Sequence, residues 1–172
     1  MTATPTCPSF ALIEAHIDRV ARRLREAPVQ DIVLVRLIKA LSAQFGAHLG
    51  RKVRPAGLNE VAFRTLMMLY AHDTGVHPAE LSAASSETRT NMTRICDELA
   101  RKGLLRRRPS VADRRRVVLE LTRRGERLIE GLLPQVWGGL GRYLGALRAA
   151  EKRELERLLK KLLAAFEREA PP

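Results

Sequence analysis

Aromatic residues are scarce in this 172-residue chain: one Trp, two Tyr and four Phe, 4% of the total. Its core must be filled by leucine, alanine, valine and isoleucine, a composition that favours helices. Hydrophobic residues still make up 45% of the chain, enough to pack one compact domain with terminal extensions. Cysteine is scarcer. Cys7 and Cys96 lie far apart in unlike contexts, which excludes a disulfide framework and suits a reducing cytosol. Cys96 reads as a small core residue, and no peroxide-sensing motif surrounds Cys7.

The usual signs of catalysis are also lacking. His16, His48, His72 and His77 fall at no metal-ligand spacing, and no phosphate-binding P-loop occurs. The glycines of "GGLGRYLG" do not follow a strand, so a dinucleotide reading fails. We expect no enzyme, no metal and no cofactor. "IVLVRLIKAL" is broken by Arg36 and Lys39 and reads as too short to span a bilayer. "MTATPTCPSFALIEAH" lacks the basic start and long apolar stretch of a signal peptide. A cytoplasmic chain with no membrane partner is the expectation.

Acidic residues are the last deficit: 19 against 31 Lys plus Arg, a net charge of +12. Such an excess favours a polyanion, nucleic acid ahead of an anionic membrane. From Arg89 to Arg127 there are 13 basic residues against five acids, so this segment holds +8 of the +12. A merely solvated basic face is the plain alternative. "RRRPSVADRRR", Arg106 to Arg116, concentrates six arginines in what reads as a tight reversal.

The hydrophobic spacing predicts mostly helices. "FALIEAHIDRVARRLRE" places Phe10, Ile13, Ile17, Val20 and Leu24 on one stripe, and Pro28 ends it. Asp31 can begin a long helix whose Ile32, Val35, Leu37, Ile38, Leu41, Phe45 and Leu49 make an apolar face broad enough for a subunit interface. Asn59 caps the next helix, and Pro78 with Glu80 starts another. Thr88 caps "TRTNMTRICDELARKG", which Gly103 stops. Met92, Ile95, Cys96 and Leu99 fall on one side of it; Arg89, Thr90, Thr93, Arg94 and Arg101 fall largely on the other. "LLRRR" and "RRVVLEL" read as two strands around a tip "PSVAD", with Val117, Leu119 and Leu121 alternating inward. Thr122 caps a final helical region that Pro134 must kink or divide. There Leu155, Leu158, Leu159, Leu162, Leu163 and Phe166 form a stripe suited to a partner helix.

Helix, short helix, turn, helix, hairpin is the order of a winged helix-turn-helix. The fold class expected is mainly α with a small β-hairpin wing and a helical dimerisation domain. A helix of this kind fits the major groove, about 12 Å wide. A basic hairpin can reach the neighbouring minor groove, its arginines replacing condensed counterions on phosphate. Arg and Asn can bond guanine and adenine edges in pairs, and Thr90 and Thr93 can meet phosphates or thymine methyls. Arg106, Arg107 and Arg108 suit nonspecific phosphate attraction, and Ser82 and Ser86 are weaker phosphate candidates.

The set "PAELS…TRTNMTRICDELARKGLLRRR…ADRRRVVLELTRRGE", Pro78 to Glu126, resembles the MarR-type transcription factors. The wording "RTNMTRICDEL" is most similar to the EmrR/MprA-type repressors of multidrug efflux genes. The turn commonly contains glycine where Ser86 stands, and Ser85 takes a usually apolar place. The resemblance implies a homodimeric regulator of a pseudo-palindromic double-stranded operator. It implies Arg115 as the wing arginine in the minor groove, Asp113 orienting it beside Arg114, and Arg89, Thr90, Asn91, Thr93 and Arg94 as the reading face. It also implies a small aromatic or phenolic effector that releases a repressor. The matching surfaces would draw apolar walls from Phe45, Phe63, Met67 and Tyr70, with Arg36, His48 and Arg51 to pair a carboxylate. The expected division is 1–58 and 126–172 for dimerisation and 59–125 for DNA. The alternatives are control of an aromatic catabolic or virulence operon, and, in another class, a helical oligomerisation or adaptor protein without specific DNA binding.

Overall fold

The computed structural model describes residues 8–24, 26–85, 87–109 and 117–169. The elements in order are α1 (Pro8–Arg23), α2 (Val29–Val53), α3 (Glu60–Tyr70), α4 (Pro78–Ser85), α5 (Arg89–Arg101), β1 (Leu105–Pro109), β2 (Val117–Leu121), α6 (Arg123–Leu144) and α7 (Ala149–Glu169). The chain forms two compact units, Met1–Arg51 and Lys52–Pro172.

In the first unit, only part of the predicted α1 stripe is covered: Phe10 and Ile17 are buried, Val20 and Leu24 exposed. Val35, Ile38 and Leu41 of α2 are also exposed. By length and composition the α2 helix could cross a membrane. Its most apolar window has mean hydropathy 1.4 and is not buried. This corrects the expectation that the segment is too short: Arg36 and Lys39 do not interrupt the helix.

In the second unit, caps fixed by near neighbours set the helix starts. Asn59 Oδ1 accepts from Ala62 N at 2.8 Å, Thr88 Oγ1 from Asn91 N at 3.2 Å and Thr122 Oγ1 from Gly125 N at 3.1 Å. His77 N donates to Glu80 Oε2 at 3.1 Å across the first turn of α4. Helix α3 packs against α4, α5, α6 and β2. Phe63, Leu66 and Leu69 of α3, Leu81 of α4, Met92, Ile95 and Leu99 of α5, Leu119 of β2 and Ile129 of α6 fill that core.

The hairpin is antiparallel, with Leu105 opposite Leu121, Arg106 opposite Glu120 and Pro109 opposite Val117. Pro109 is thus a strand residue, not part of the tip. The inward alternation differs from expectation too: Val117 is 44% exposed while Val118 and Leu119 are both buried. Val76 exchanges both backbone hydrogen bonds with Leu119, at 3.0 and 2.9 Å, as a third strand segment along the other edge of β2.

Helix α6 runs undivided through Pro134, whose neighbours Leu132, Leu133 and Val136 are buried. The break comes later, after Leu144. Arg148 N then donates to Glu151 Oε2 at 2.7 Å to start α7. No residue of α7 is buried, so the whole leucine stripe faces outward.

Candidate nucleic-acid interface

Helix α5 is held by its apolar side. Met92, Ile95, Cys96 and Leu99 are buried, and the Thr65 hydroxyl reaches Met92 Sδ at 3.8 Å. Burial pushes the Cys96 thiol up, with Arg107 pulling it down less strongly. A buried, protonated thiol is a poor nucleophile. Gly103, at φ +68°, ends the helix: Leu104 N reaches Leu99 O at 3.0 Å and Gly103 N reaches Ala100 O at 2.8 Å. That turn sends the chain directly into β1.

The opposite side carries the predicted reading residues. Arg89, Thr90, Thr93 and Arg94 are exposed, and Asn91 is half-buried. Asn91 Nδ2 donates to Glu87 Oε2 at 2.5 Å, while Asn91 Oδ1 accepts from Arg94 Nη2 at 3.0 Å. Thr93 Oγ1 donates back to Arg89 O at 2.9 Å. Arg64 lies 3.8 Å from Glu87 and donates to the Ser85 carbonyl at 3.2 Å, tying α3 to the turn before α5. Each end of the Asn91 amide makes one bond, which leaves one N–H and one oxygen lone pair for a base edge.

The hairpin stem departs from expectation. Arg106 and Arg108 both pair with Glu120, at 3.1 and 2.8 Å, and the Glu120 side chain is only 12% exposed. Arg107 pairs with Asp97 of α5 at 2.6 Å. Each of the three stem arginines is therefore paired with an acid, while about half or more of each side chain stays exposed. Sequence reasoning missed both acids. Glu120 was detectable as the single acid in "RRVVLEL", but only the register sets it opposite Arg106.

Ser82 is buried, which leaves its hydroxyl little surface to offer a phosphate. Ser85, in the usually apolar place, is buried and satisfied by donating to Leu81 O at 2.6 Å. Ser86, Asp113, Arg114, Arg115 and Cys7 lie outside the described residues.

The predicted ligand residues divide. Arg36, Phe45, His48 and Arg51 follow one another along α2; Arg36 and Arg51 are exposed, Phe45 and His48 half-buried. On α3, Phe63 is a buried core residue and Met67 is half-buried. Tyr70 lines a groove of about 450 Å³ with His72, Asp73, Glu126 and Glu130, and its hydroxyl donates to Glu130 at 3.2 Å. That bond and the Glu130 charge push the phenol up from its ordinary value.

The family model described as MarR family matches residues 56–116. The transcriptional repressor MprA of Escherichia coli is 34% identical over 160 residues, covering 92% of this chain and 91% of that one. The chain belongs to the MarR family. Among solved MarR-family structures, a cysteine-to-serine variant of E. coli MarR complexed with operator DNA aligns with a TM-score of 0.69. Identity to it is 30%, covering 78% of this chain and 96% of that one. CouR of Rhodococcus jostii, bound to p-coumaroyl-CoA, shares the fold with a TM-score of 0.69 at 21% identity, over 73% of this chain and 88% of that one. The protein is a MarR-family transcriptional regulator with a winged helix-turn-helix, and not an enzyme.

Proposed function

We propose that this MarR-family repressor acts in the cytoplasm as a homodimer that grips a pseudo-palindromic operator and is released by a small aromatic or phenolic effector. The observation that carries it is the two-sided character of α5. One side is locked into the core by Met92, Ile95, Cys96 and Leu99, and the other presents Arg89, Thr90, Thr93 and Arg94 to a groove. The operator complex of MarR, at 30% identity, supports the same use here. Arg115, oriented by Asp113, enters the minor groove in this reading, where a narrow A·T-rich stretch concentrates negative potential. Arg114 adds to that charge.

Homodimerisation rests on the outward apolar faces of α2 and α7, which a second copy would cover. In that division of labour, 1–58 and 126–172 build the dimer and 59–125 binds DNA. Two copies place their α5 helices on half-sites about 10 bp apart. Efflux genes are the proposed targets, following the EmrR/MprA-like wording of the recognition helix.

Selection of bound duplexes from a random pool, with sedimentation analysis of the purified chain, tests the core of the reading. A dimer that enriches a pseudo-palindrome supports it. A monomer, or binding no tighter than to random competitor, overturns it and favours the adaptor alternative. Mapping bound chromosomal sites then separates efflux targets from catabolic or virulence operons.

A further inference from the structure

Glu87 stands immediately before the Thr88 cap of α5, where a carboxylate near phosphate would be repelled. The positive end of the helix favours an acid there, which explains its charge but not its contacts. Its two oxygens are held by different partners. Oε1 lies 3.8 Å from Arg64 Nη2, and Oε2 accepts from Asn91 Nδ2 at 2.5 Å. Only 21% of the Glu87 side chain is exposed.

Arg64 anchors this acid to the core. It belongs to α3, between the buried Phe63 and Thr65. Its Nη2 donates to the Ser85 carbonyl at 3.2 Å, and its Nη1 lies 4.0 Å from Glu60. On the far side of Asn91, Arg94 Nη2 donates to Asn91 Oδ1 at 3.0 Å. Contacts thus run unbroken from Arg64 through Glu87 and Asn91 to Arg94.

The chemistry of the two ends decides how the amide between them points. An ionised carboxylate only accepts hydrogen bonds, and a guanidinium only donates them. Asn91 satisfies both in one orientation, with its NH2 toward Glu87 and its oxygen toward Arg94. The reversed amide would set oxygen against carboxylate and NH2 against guanidinium. Adenine needs a donor to N7 and an acceptor from its N6 amino group, both from one amide. The N–H and lone pair left on Asn91 supply these on defined sides.

We propose that Arg64 and Glu87 are positioning residues that set base preference: by holding the Asn91 amide one way round, they make α5 select adenine at one position of each half-site. Neither touches a base. The role rests on the DNA-binding function proposed above.

The test selects duplexes with wild type and Asn91→Ala to find the position that Asn91 reads, then measures adenine against the other bases there by competition. In Glu87→Gln the new amide both donates and accepts, so either orientation of Asn91 is satisfied. Its preference for adenine should fall about fivefold or more, with other positions unaffected. Random-duplex affinity should rise slightly, because one negative charge is gone. Arg64→Gln should lower the same preference with the salt dependence unchanged. Glu87→Gln added to Asn91→Ala should change the preference no further. A change that is equal for all duplexes overturns the proposal, since fold or charge alone would act that way. An effect of Glu87→Gln that persists without Asn91 overturns it too. If Arg64→Gln flattens the salt slope and spares the preference, Arg64 is a phosphate contact and the relay is overturned. The Asn91 side-chain amide protons of the free protein, followed by NMR, should move in Glu87→Gln, and unmoved signals overturn the hold on the amide. If wild type prefers no duplex, the function and the specificity role fall together, and the NMR signals still decide the hold.

Discussion

Arg107 Nη2 lies 2.6 Å from Asp97 Oδ1, joining the first wing strand to the recognition helix. Both side chains are about half exposed, so the pair contributes little to stability, about 0–1 kcal/mol. Its consequence is geometric: it fixes the wing relative to the face carrying Arg94. Asp97→Asn should lower the ratio of specific to random-duplex affinity while leaving the melting temperature nearly unchanged. Competition gel shifts measure the ratio, and an unaltered ratio removes the pair from any positioning role.

Glu120 restrains two cations at once. Glu120→Gln frees Arg106 and Arg108 for phosphate. Each new contact steepens the dependence of log affinity on log salt by about 0.9. The variant should bind random duplex more tightly at low salt, with a slope steeper by about one to two. A slope equal to wild type would show that the stem never approaches the backbone.

Two glycines of α6 predict opposite outcomes. A Cβ on Gly125 would stand 2.2 Å from the Leu104 carbonyl oxygen, whereas one on Gly131 meets nothing within 4 Å. Gly125→Ala should destabilise by about 3 kcal/mol through overpacking. Gly131→Ala should stabilise by up to about 1 kcal/mol, because alanine is the better helix former. Urea unfolding distinguishes them, and equal effects would contradict the close approach.

The stripe on α7 should behave as an interface. Leu158→Asp/Leu162→Asp places charge where two exposed leucines now stand. Sedimentation velocity should show the dimer shifting to monomer at micromolar concentration, with helicity of the remaining chain retained. A variant as dimeric as wild type would assign the stripe to some other partner.

Cys96 gives a pH prediction. Burial raises its thiol above the ordinary 9.0, so the unfolded chain ionises first as pH climbs. The contribution is present below pH 9.0 and is lost as pH rises from there toward the folded value. Stability should fall more steeply above pH 9 in wild type than in Cys96→Ala. A thiol reagent at neutral pH should label native protein far more slowly than denatured protein. Rapid native labelling would contradict the burial.

The sequence by itself determined the order of elements, the caps at Asn59, Thr88 and Thr122, the stop at Gly103 and the two sides of α5. Each depends on residues within one helical turn of one another, so spacing along the chain carries the information. Only the tertiary structure decided that Val118 is buried and Val117 exposed, and that Val76, from a distant segment, pairs with Leu119 along the other edge of β2. It alone placed Glu120 between two arginines, Asp97 against Arg107, and Gly125 beneath the Leu104 carbonyl. Those relationships depend on strand register and helix packing, which join residues far apart in sequence through contacts that no local periodicity encodes.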